Sequence, residues 1–278
     1  MQITNLHHDF KENHSMSTQT INRPIGTDFR IMSWNILSEE LTPWAPPIEE
    51  RIDGIRESVL QYAPDAGGVQ EISEAGYALL NEHLGSIYEF VNPMTKEGNY
   101  SYTGIAYNKE KYRLLDSDIE NYPLGNRRIR IATWIYLEEI STERRLVLMS
   151  THWDRHACNR VPQAEYMGNM VNELRAKYNC PVICTGDFNA REESAAFKTF
   201  IRVSKHLDAK LNCENPINNC FTGHPVGDFT PEFEGTECID HVTSTPDLQV
   251  LRYEAVINQT TVNASDHFPL FVDYQIKK

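Results

Sequence analysis

Two short segments carry the residue types that hydrolytic chemistry needs. Gly186-Asp187-Phe188-Asn189 follows Pro181–Thr185, an apolar run that reads as a buried strand. A carboxylate at a strand end, with an amide two residues on, can share one water: Asp187 accepts its proton and Asn189 fixes its direction. The same residues also suit an Asp/Asn turn. Ser265-Asp266-His267 sets a carboxylate beside an imidazole, which fits acid–base work, metal ligation or a charged turn ahead of Pro269. Asp240, after Ile239, suits either the orienting of a distant imidazole or a surface loop. His152 and Asn35 end apolar runs and, taken singly, read as structural strand ends. Glu71 is harder to explain that way. It lies within Val69–Ile72, and a buried carboxylate without a partner is costly. A cation, a donor network or a proton must accompany it, and a magnesium ion with several waters would serve.

The elements that must position these groups follow from periodicity. Phe29–Trp34 reads as a strand ending at Asn35. Ile52, Ile55, Val59 and Leu60 recur at helical spacing within Glu49–Ala63, and Pro64 stops the helix. Gly68–Ile72 reads as a buried strand that delivers Glu71, with Ser73 capping a helix that ends at Gly85. Strands are predicted over Tyr102–Tyr107, Tyr112–Leu115, Ile129–Leu137 and Arg145–Thr151, then a helix over Val161–Tyr178. Ala195–Ile201 reads as helical, and Asn212–Gly235 as irregular. Ile239–Val242, Leu248–Tyr253 and Phe268–Tyr274 complete the strands. Asn35, Glu71, His152, Asp187, Asn189, Asp240, Asp266 and His267 all fall at or beside strand ends, where loops collect catalytic groups. Because the middle strands follow one another directly, mixed sheets are expected rather than one parallel sheet.

Bulk properties narrow the partners. The net charge of −13 argues against a grip on long duplex DNA, which a basic face usually provides, and suits a cation. No apolar run approaches the roughly 18 residues of a membrane span. The six cysteines form no CxxC pair and read as free thiols in or near the core. Residues 1–28 are polar, lack a signal-peptide core and read as a flexible leader before a single domain over 29–278, with a cytoplasmic location as the default. There is no GxSxG, GxxxxGK[ST] or HExxH, so acyl hydrolases, P-loop nucleotidases and zincins find no support. Arg128 and Arg130 could bind phosphate, but a solvent face of a strand is the reading preferred for them.

Read in order, Ser33-Trp34-Asn35-Ile36-Leu37, Val69-Gln70-Glu71, Ser150-Thr151-His152, Thr185-Gly186-Asp187-Phe188-Asn189, Ile239-Asp240 and Ser265-Asp266-His267 resemble the endonuclease/exonuclease/phosphatase superfamily, relatives of deoxyribonuclease I. The resemblance spans Phe29–Asp273. Asp228–Thr236 ahead of Ile239-Asp240 looks most similar to the deadenylase-like branch that includes nocturnin, the Angel proteins and small bacterial relatives. His241 departs from it, standing where a Tyr is frequent.

The resemblance implies an α/β four-layer sandwich, two mixed β-sheets packed face to face with helices on the outside. It implies Mg²⁺ or Mn²⁺, as one or two ions, with Glu71 as main ligand, Asn35 near the ion and Asp266 at a second ion or water. It implies that Asp187 activates water, Asn189 places it, His267 backed by Asp240 contacts the scissile phosphate, and His152 donates to a phosphate oxygen. The expected substrate is a phosphoester on a nucleotide, short nucleic acid or small metabolite, handled by a monomer. The alternatives are an inositol- or sphingolipid-type phosphoesterase and an inactive binding relative. Pro93–Tyr100, His156–Arg160 and Asn212–Gly235 are expected to wall the groove.

Overall fold

The structure, a computed structural model, describes residues 20–91, 94, 98, 100–124, 130–218, 221–227 and 238–277. Its strands are β1 (Phe29–Asn35), β2 (Ala66–Gln70), β3 (Tyr88–Phe90), β4 (Thr103–Asn108), β5 (Tyr112–Asn121), β6 (Ile131–Glu139), β7 (Arg145–His152), β8 (Val182–Asp187), β9 (Leu207–Asp208), β10 (Asp240–Ser244), β11 (Leu248–Ala255) and β12 (Leu270–Ile276). Its helices are α1 (Ile48–Tyr62), α2 (Glu74–Leu84), α3 (Ala157–Tyr178), α4 (Ala195–Ser204), α5 (Ala209–Asn212) and α6 (Gln259–Ala264). Two six-stranded sheets result, in the orders β11-β12-β1-β2-β4-β3 and β5-β6-β7-β8-β10-β9. Each is antiparallel except for one central parallel pair, β1 with β2 and β7 with β8. The expected mixed sheets are therefore present.

Three apolar clusters make four layers. Phe29, Ile31, Ile105, Ile135, Leu148, Ile183 and Val272 fill the space between the sheets. Met32, Trp34 and Val69, on the other face of their sheet, meet Ile52, Ile55 and Val59 of α1 and Leu80 and Leu84 of α2. Val147, Met149 and Val182 meet Met167 and Val171 of α3 and Phe197 and Phe200 of α4 on the far side. Strand alternation dictates this sorting, since successive residues face opposite sides of a sheet.

The inward-facing rows of the central strands change character along their length. On β1 they run Phe29, Ile31, Ser33, Asn35; on β7, Leu146, Leu148, Ser150, His152; on β8, Ile183, Thr185, Asp187. On β2 the row is Ala66, Gly68, Gln70. Every row is apolar at one end of the sandwich and polar at the other. The polar layer satisfies itself across the gap, with Gln70 Nε2 donating to Ser150 Oγ (3.0 Å) and Thr133 Oγ1 to the Thr103 carbonyl (2.7 Å). Two glycines make the approach possible. A Cβ at Gly68 would collide with Thr185 Oγ1 and lie 2.7 Å from Ser150 Oγ. Gly186, at φ 156°, brings β8 so close to β7 that a Cβ would meet the Thr151 carbonyl.

Several boundaries differ from the sequence reading. β3, β9, α5 and α6 went unforeseen: the first two are three and two residues long, too short to show periodicity. β5 runs on to Asn121 because it pairs along the whole of β6. α3 begins at Ala157, ahead of the predicted Val161, and contains Pro162 at its sixth position, which leaves the Cys158 carbonyl without a helical N–H donor. Of the five described cysteines, all free, Cys184 is buried but Cys158 is exposed, so not every thiol lies near the core. Within the expected leader, Arg23 pairs with Asp65, and the Ile21 carbonyl accepts from Arg30 Nη1.

One buried arginine fixes two loops. Arg51 of α1, 3% exposed, donates to the carbonyls of Ile36 (2.5 Å), Leu37 (2.6 Å), Pro46 (2.9 Å) and Ala264 (2.7 Å). It thereby ties the chain after Asn35 to the chain before Asp266. Gly68→Ala is expected to lower stability by about 1–3 kcal/mol through overpacking of the sheet interface, read as a fall in the denaturant midpoint. Arg51→Met leaves buried carbonyls unpaired and is expected to cost at least about 1–3 kcal/mol in the same measurement, with Arg51→Lys falling in between.

Candidate active site

The polar ends of the central strands meet at one rim. Asn35 ends β1 and His152 ends β7, and Asp187 ends β8 opposite Asp240, the first residue of β10. Glu71 lies one residue past β2. Strict alternation would turn it away from Gln70's side, but its backbone is left-handed (φ 55°), and its carboxylate comes to lie against Asn35. Leu37 and Asn189 share that uncommon conformation (φ 56° and 46°). Such backbones cluster at ligand sites because their surroundings must hold them in place.

Asn35 is the hinge of the group. Its Nδ2 donates to Glu71 Oε1 (3.2 Å) and Asp187 Oδ2 (3.3 Å), and its Oδ1 accepts from the Leu37 N–H (3.0 Å). It therefore presents nitrogen, not oxygen, to the carboxylates. Glu71 Oε2 accepts from the Ser38 N–H at 3.3 Å. Asp187 Oδ2 lies 3.2 Å from His152 Nε2, and Asp187 Oδ1 accepts from the Asn189 N–H (2.8 Å). Asn189 is itself anchored, its Nδ2 donating to the Trp153 carbonyl (2.9 Å). On the other side His267 Nδ1 donates to Asp240 Oδ2 (2.7 Å), and the Trp34 indole and Ser265 hydroxyl hold the segment by bonds to the carbonyls of His267 (2.8 Å) and Asn35 (2.6 Å). Asp266 Oδ1 is 3.9 Å from His267 Nε2. Asp187 belongs to two clusters whose polar atoms lie within 4.8 Å of one another, one with Glu71 and His152 and one with Asp240 and His267.

Burial and charge pull against each other here. Burial alone would raise the Asp187 carboxyl, but His152, His267 and the Asn189 N–H hold it far below the usual carboxylate range. Burial would likewise deprotonate His267; the carboxylates of Asp240, Asp266 and Asp187 instead hold its imidazolium well above the ordinary histidine range. Asp266 is raised by burial and by Glu71 and Asp187, against the pull of His267. The site thus keeps an ionised carboxylate, a cationic imidazole and a more protonation-prone carboxyl side by side.

Asp154 and Arg130 join this rim without having been singled out as site residues. Asp154, 6% exposed, accepts from the His156 N–H (2.8 Å) and Asn159 Nδ2 (3.1 Å). Arg130 corrects the sequence reading: it is 9% exposed, not on a solvent face, and Asp187, Asp154 and Glu71 supply the carboxylate charges acting on it. No local pattern marks its burial, because only the pairing of β6 with β7 brings the start of β6 to the end of β7. Of the expected groove walls, Arg160 Nη1 bonds the Asn189 carbonyl. Arg128, Asp228–Thr236 and part of Pro93–Tyr100 lie outside the described residues.

His241 sits behind the site, its Nδ1 on Asp208 Oδ2 (3.1 Å) and its Nε2 on the Ala190 carbonyl (2.9 Å). The third acidic cluster, Glu192, Asp208 and His241, already has a cation, since Lys210 pairs with Glu192. No helix among the described residues is long and apolar enough to cross a membrane.

The chain is 27% identical over 222 residues to the CCR4-Not complex 3'-5'-exoribonuclease subunit Ccr4 of Debaryomyces hansenii, covering 65% of this chain and 26% of that protein. It is 25% identical over 315 residues to nocturnin of Drosophila melanogaster, covering 90% and 47%. It thus spans less than half the length of these relatives. Among solved structures, the mannosyl-6-phosphatase of Bacteroides thetaiotaomicron superposes with a TM-score of 0.76 at 20% identity, over 88% of this chain and 99% of that one, a likeness of fold. The profile of the Endonuclease/Exonuclease/phosphatase family matches residues 32–267, and the chain belongs to that family.

Proposed function

We propose that this chain hydrolyses a phosphoester by in-line attack of a water activated at Asp187, with Mg²⁺ or Mn²⁺ held at Glu71. The observation that carries the reading is Asp187 itself: a buried carboxylate held ionised between two imidazoles, with one oxygen fixed by Asn189. The substrates of the relatives, RNA for Ccr4 and a mannosyl phosphate for the bacterial phosphatase, support this class.

The donor set fits a hard divalent cation. Glu71 is 5% exposed and holds only long contacts, 3.2 and 3.3 Å, while Asp240 Oδ1 and Asp266 Oδ1 are buried without hydrogen-bond partners. Carboxylate oxygens left this short of donors are what such an ion takes. Glu71 would be its main ligand, with Asp266 at a second ion or a bound water. When bound, the ion would offset negative charge developing on the phosphoryl oxygens.

The chain's own groups account for the rest. Asp187 accepts the proton of the attacking water, and Asn35 and Asn189 fix the directions of its two oxygens. The His267 imidazolium, steadied by Asp240, donates to a phosphoryl oxygen as its charge grows. His152, whose Nδ1 is buried without a partner, donates to another. We place the substrate among nucleotides, short nucleic acids and small phosphorylated metabolites rather than long duplex DNA, in keeping with the net charge of −13.

Glu71→Ala, Asp187→Asn and His267→Ala are each expected to lower kcat/KM on an aryl phosphoester by about 10²–10⁴-fold, and EDTA to stop turnover until Mn²⁺ is restored. Full activity in chelator, or in Asp187→Asn, would exclude the reading. Asp240→Asn removes a carboxylate that holds His267 protonated, so the His267 imidazole is expected to titrate at lower pH by NMR. The imidazolium is the donating form, so the alkaline limb of the rate profile is expected to move to lower pH with it. A limb that does not move would separate His267 from that limb.

A further inference from the structure

The buried arginines differ in one respect. Arg30 donates to Asp273 and to the carbonyls of Ile21, Tyr62 and Asn22, and Arg51 to four carbonyls. Arg130, 91% buried by the same measure, keeps Nη1 enclosed without a hydrogen-bond partner. A buried charged donor left unmade is expensive, so a fold that retains one has a missing acceptor.

The neighbours define that acceptor. Ala132 pairs with Thr151, so Arg130, one residue ahead of β6, stands near Trp153, just past the end of β7. Asp187, Asp154 and Glu71 act on it by charge, and Arg155 opposes them. Asp187 and Asp154 are committed elsewhere, and Glu71 holds only long contacts. Asp187 is bonded by Asn35 and Asn189, Asp154 by His156 and Asn159, and Glu71 by Asn35 and Ser38. Arg130 is therefore held in the field of the site but bonded to none of its anions. The group it lacks must arrive with the substrate, as an oxyanion.

Resting on the phosphoester reading above, we infer that Arg130 binds a non-bridging phosphoryl oxygen and that the site is built for phosphomonoester dianions. His152, His267 and Arg130 are three donors at one rim, beside the carboxylate that takes a cation. A monoester offers three non-bridging oxygens and two negative charges; a diester offers two oxygens and one charge. A diester's two oxygens can accept from all three donors, but its single charge offsets less of the charge on Arg130 and His267 than the two charges of a monoester do. The planar fork of arginine suits this role, because it can span two oxygens of one phosphate. Attack by water breaks the P–O bond to the alcohol and releases inorganic phosphate, which keeps the same contacts, so phosphate itself is a ligand of Arg130.

Two measurements test this, with 4-nitrophenyl phosphate and bis(4-nitrophenyl) phosphate as substrates and calorimetric titration of inorganic phosphate as a readout free of turnover. The wild-type chain is expected to favour the monoester. Arg130→Gln is expected to lose about 10²–10³-fold in kcat/KM on the monoester but no more than about tenfold on the diester. Its phosphate affinity is expected to fall by about tenfold or more, with Arg130→Lys in between because it keeps the charge and loses the fork. Both variants should melt as the wild type does, since Nη1 bonds nothing in the fold. A wild-type preference for the diester, equal losses on both substrates, unchanged phosphate affinity in Arg130→Gln, or a large loss of melting temperature in both variants would overturn the inference. Failure of the wild type to turn over any phosphoester would instead remove the hydrolytic reading, while the phosphate titration still decides whether Arg130 holds an oxyanion.

Discussion

Buried polar groups must find partners, and in this fold that requirement is concentrated at one end of a sheet interface. Four inward rows run from apolar to polar towards the same rim, because two parallel pairs, β1 with β2 and β7 with β8, direct their C-terminal ends there. Apolar packing of Ile31, Leu148 and Ile183 holds the sheets together below. Above, the spacing is set by hydrogen bonds across the gap, such as Gln70 to Ser150, and by glycines that admit no side chain. A shift of either sheet would break the polar contacts before it exposed the apolar ones. The site residues thus inherit their positions from the packing of the sandwich.

The electrostatics follow from that enclosure. Asp187 and His267 are both buried, and each in isolation would lose its charge to desolvation. They keep it because each faces groups of opposite sign. Asp187 stands between His152 and His267, and His267 faces Asp240 on its far side. Asp266 goes the other way: burial raises it, with the carboxylates of Glu71 and Asp187 adding to that against the pull of His267. Asn35 links the two halves by donating to both Glu71 and Asp187, so the two carboxylates share one amide.

Support for this rim comes from hydrogen bonds to backbone carbonyls. Arg51 clamps the chain after Asn35 to the chain before Asp266, Trp34 and Ser265 bond backbone on either side, and Trp153 anchors Asn189. Rigid anchoring of this kind is what places reacting groups within the narrow tolerance that catalysis requires. The family model spans residues 32–267, most of this scaffold.

The sequence by itself determined much of this. Strand alternation and helix spacing marked β1, β2, β6, β7, β8 and β12 within a few residues, and Ser73 marked the start of α2. The eight polar residues from Asn35 to His267 were legible as strand ends, but taken singly they also suit turns or plain strand ends, and it was their order in the family resemblance that marked them as a group. Short elements such as β3, β9 and α5 were not, since two to four residues show no period. Tertiary structure decided which of those residues touch: His267 pairs with Asp240, 27 positions away, and Asn35 reaches Asp187 across 152. It also turned Glu71 inward through a left-handed backbone, and moved Arg130 from an expected solvent face into the site. The reason is physical. Local pattern records which face of its own element a residue occupies, but the meeting of strand ends, and the burial of a charge among its partners, exist only once two sheets have packed.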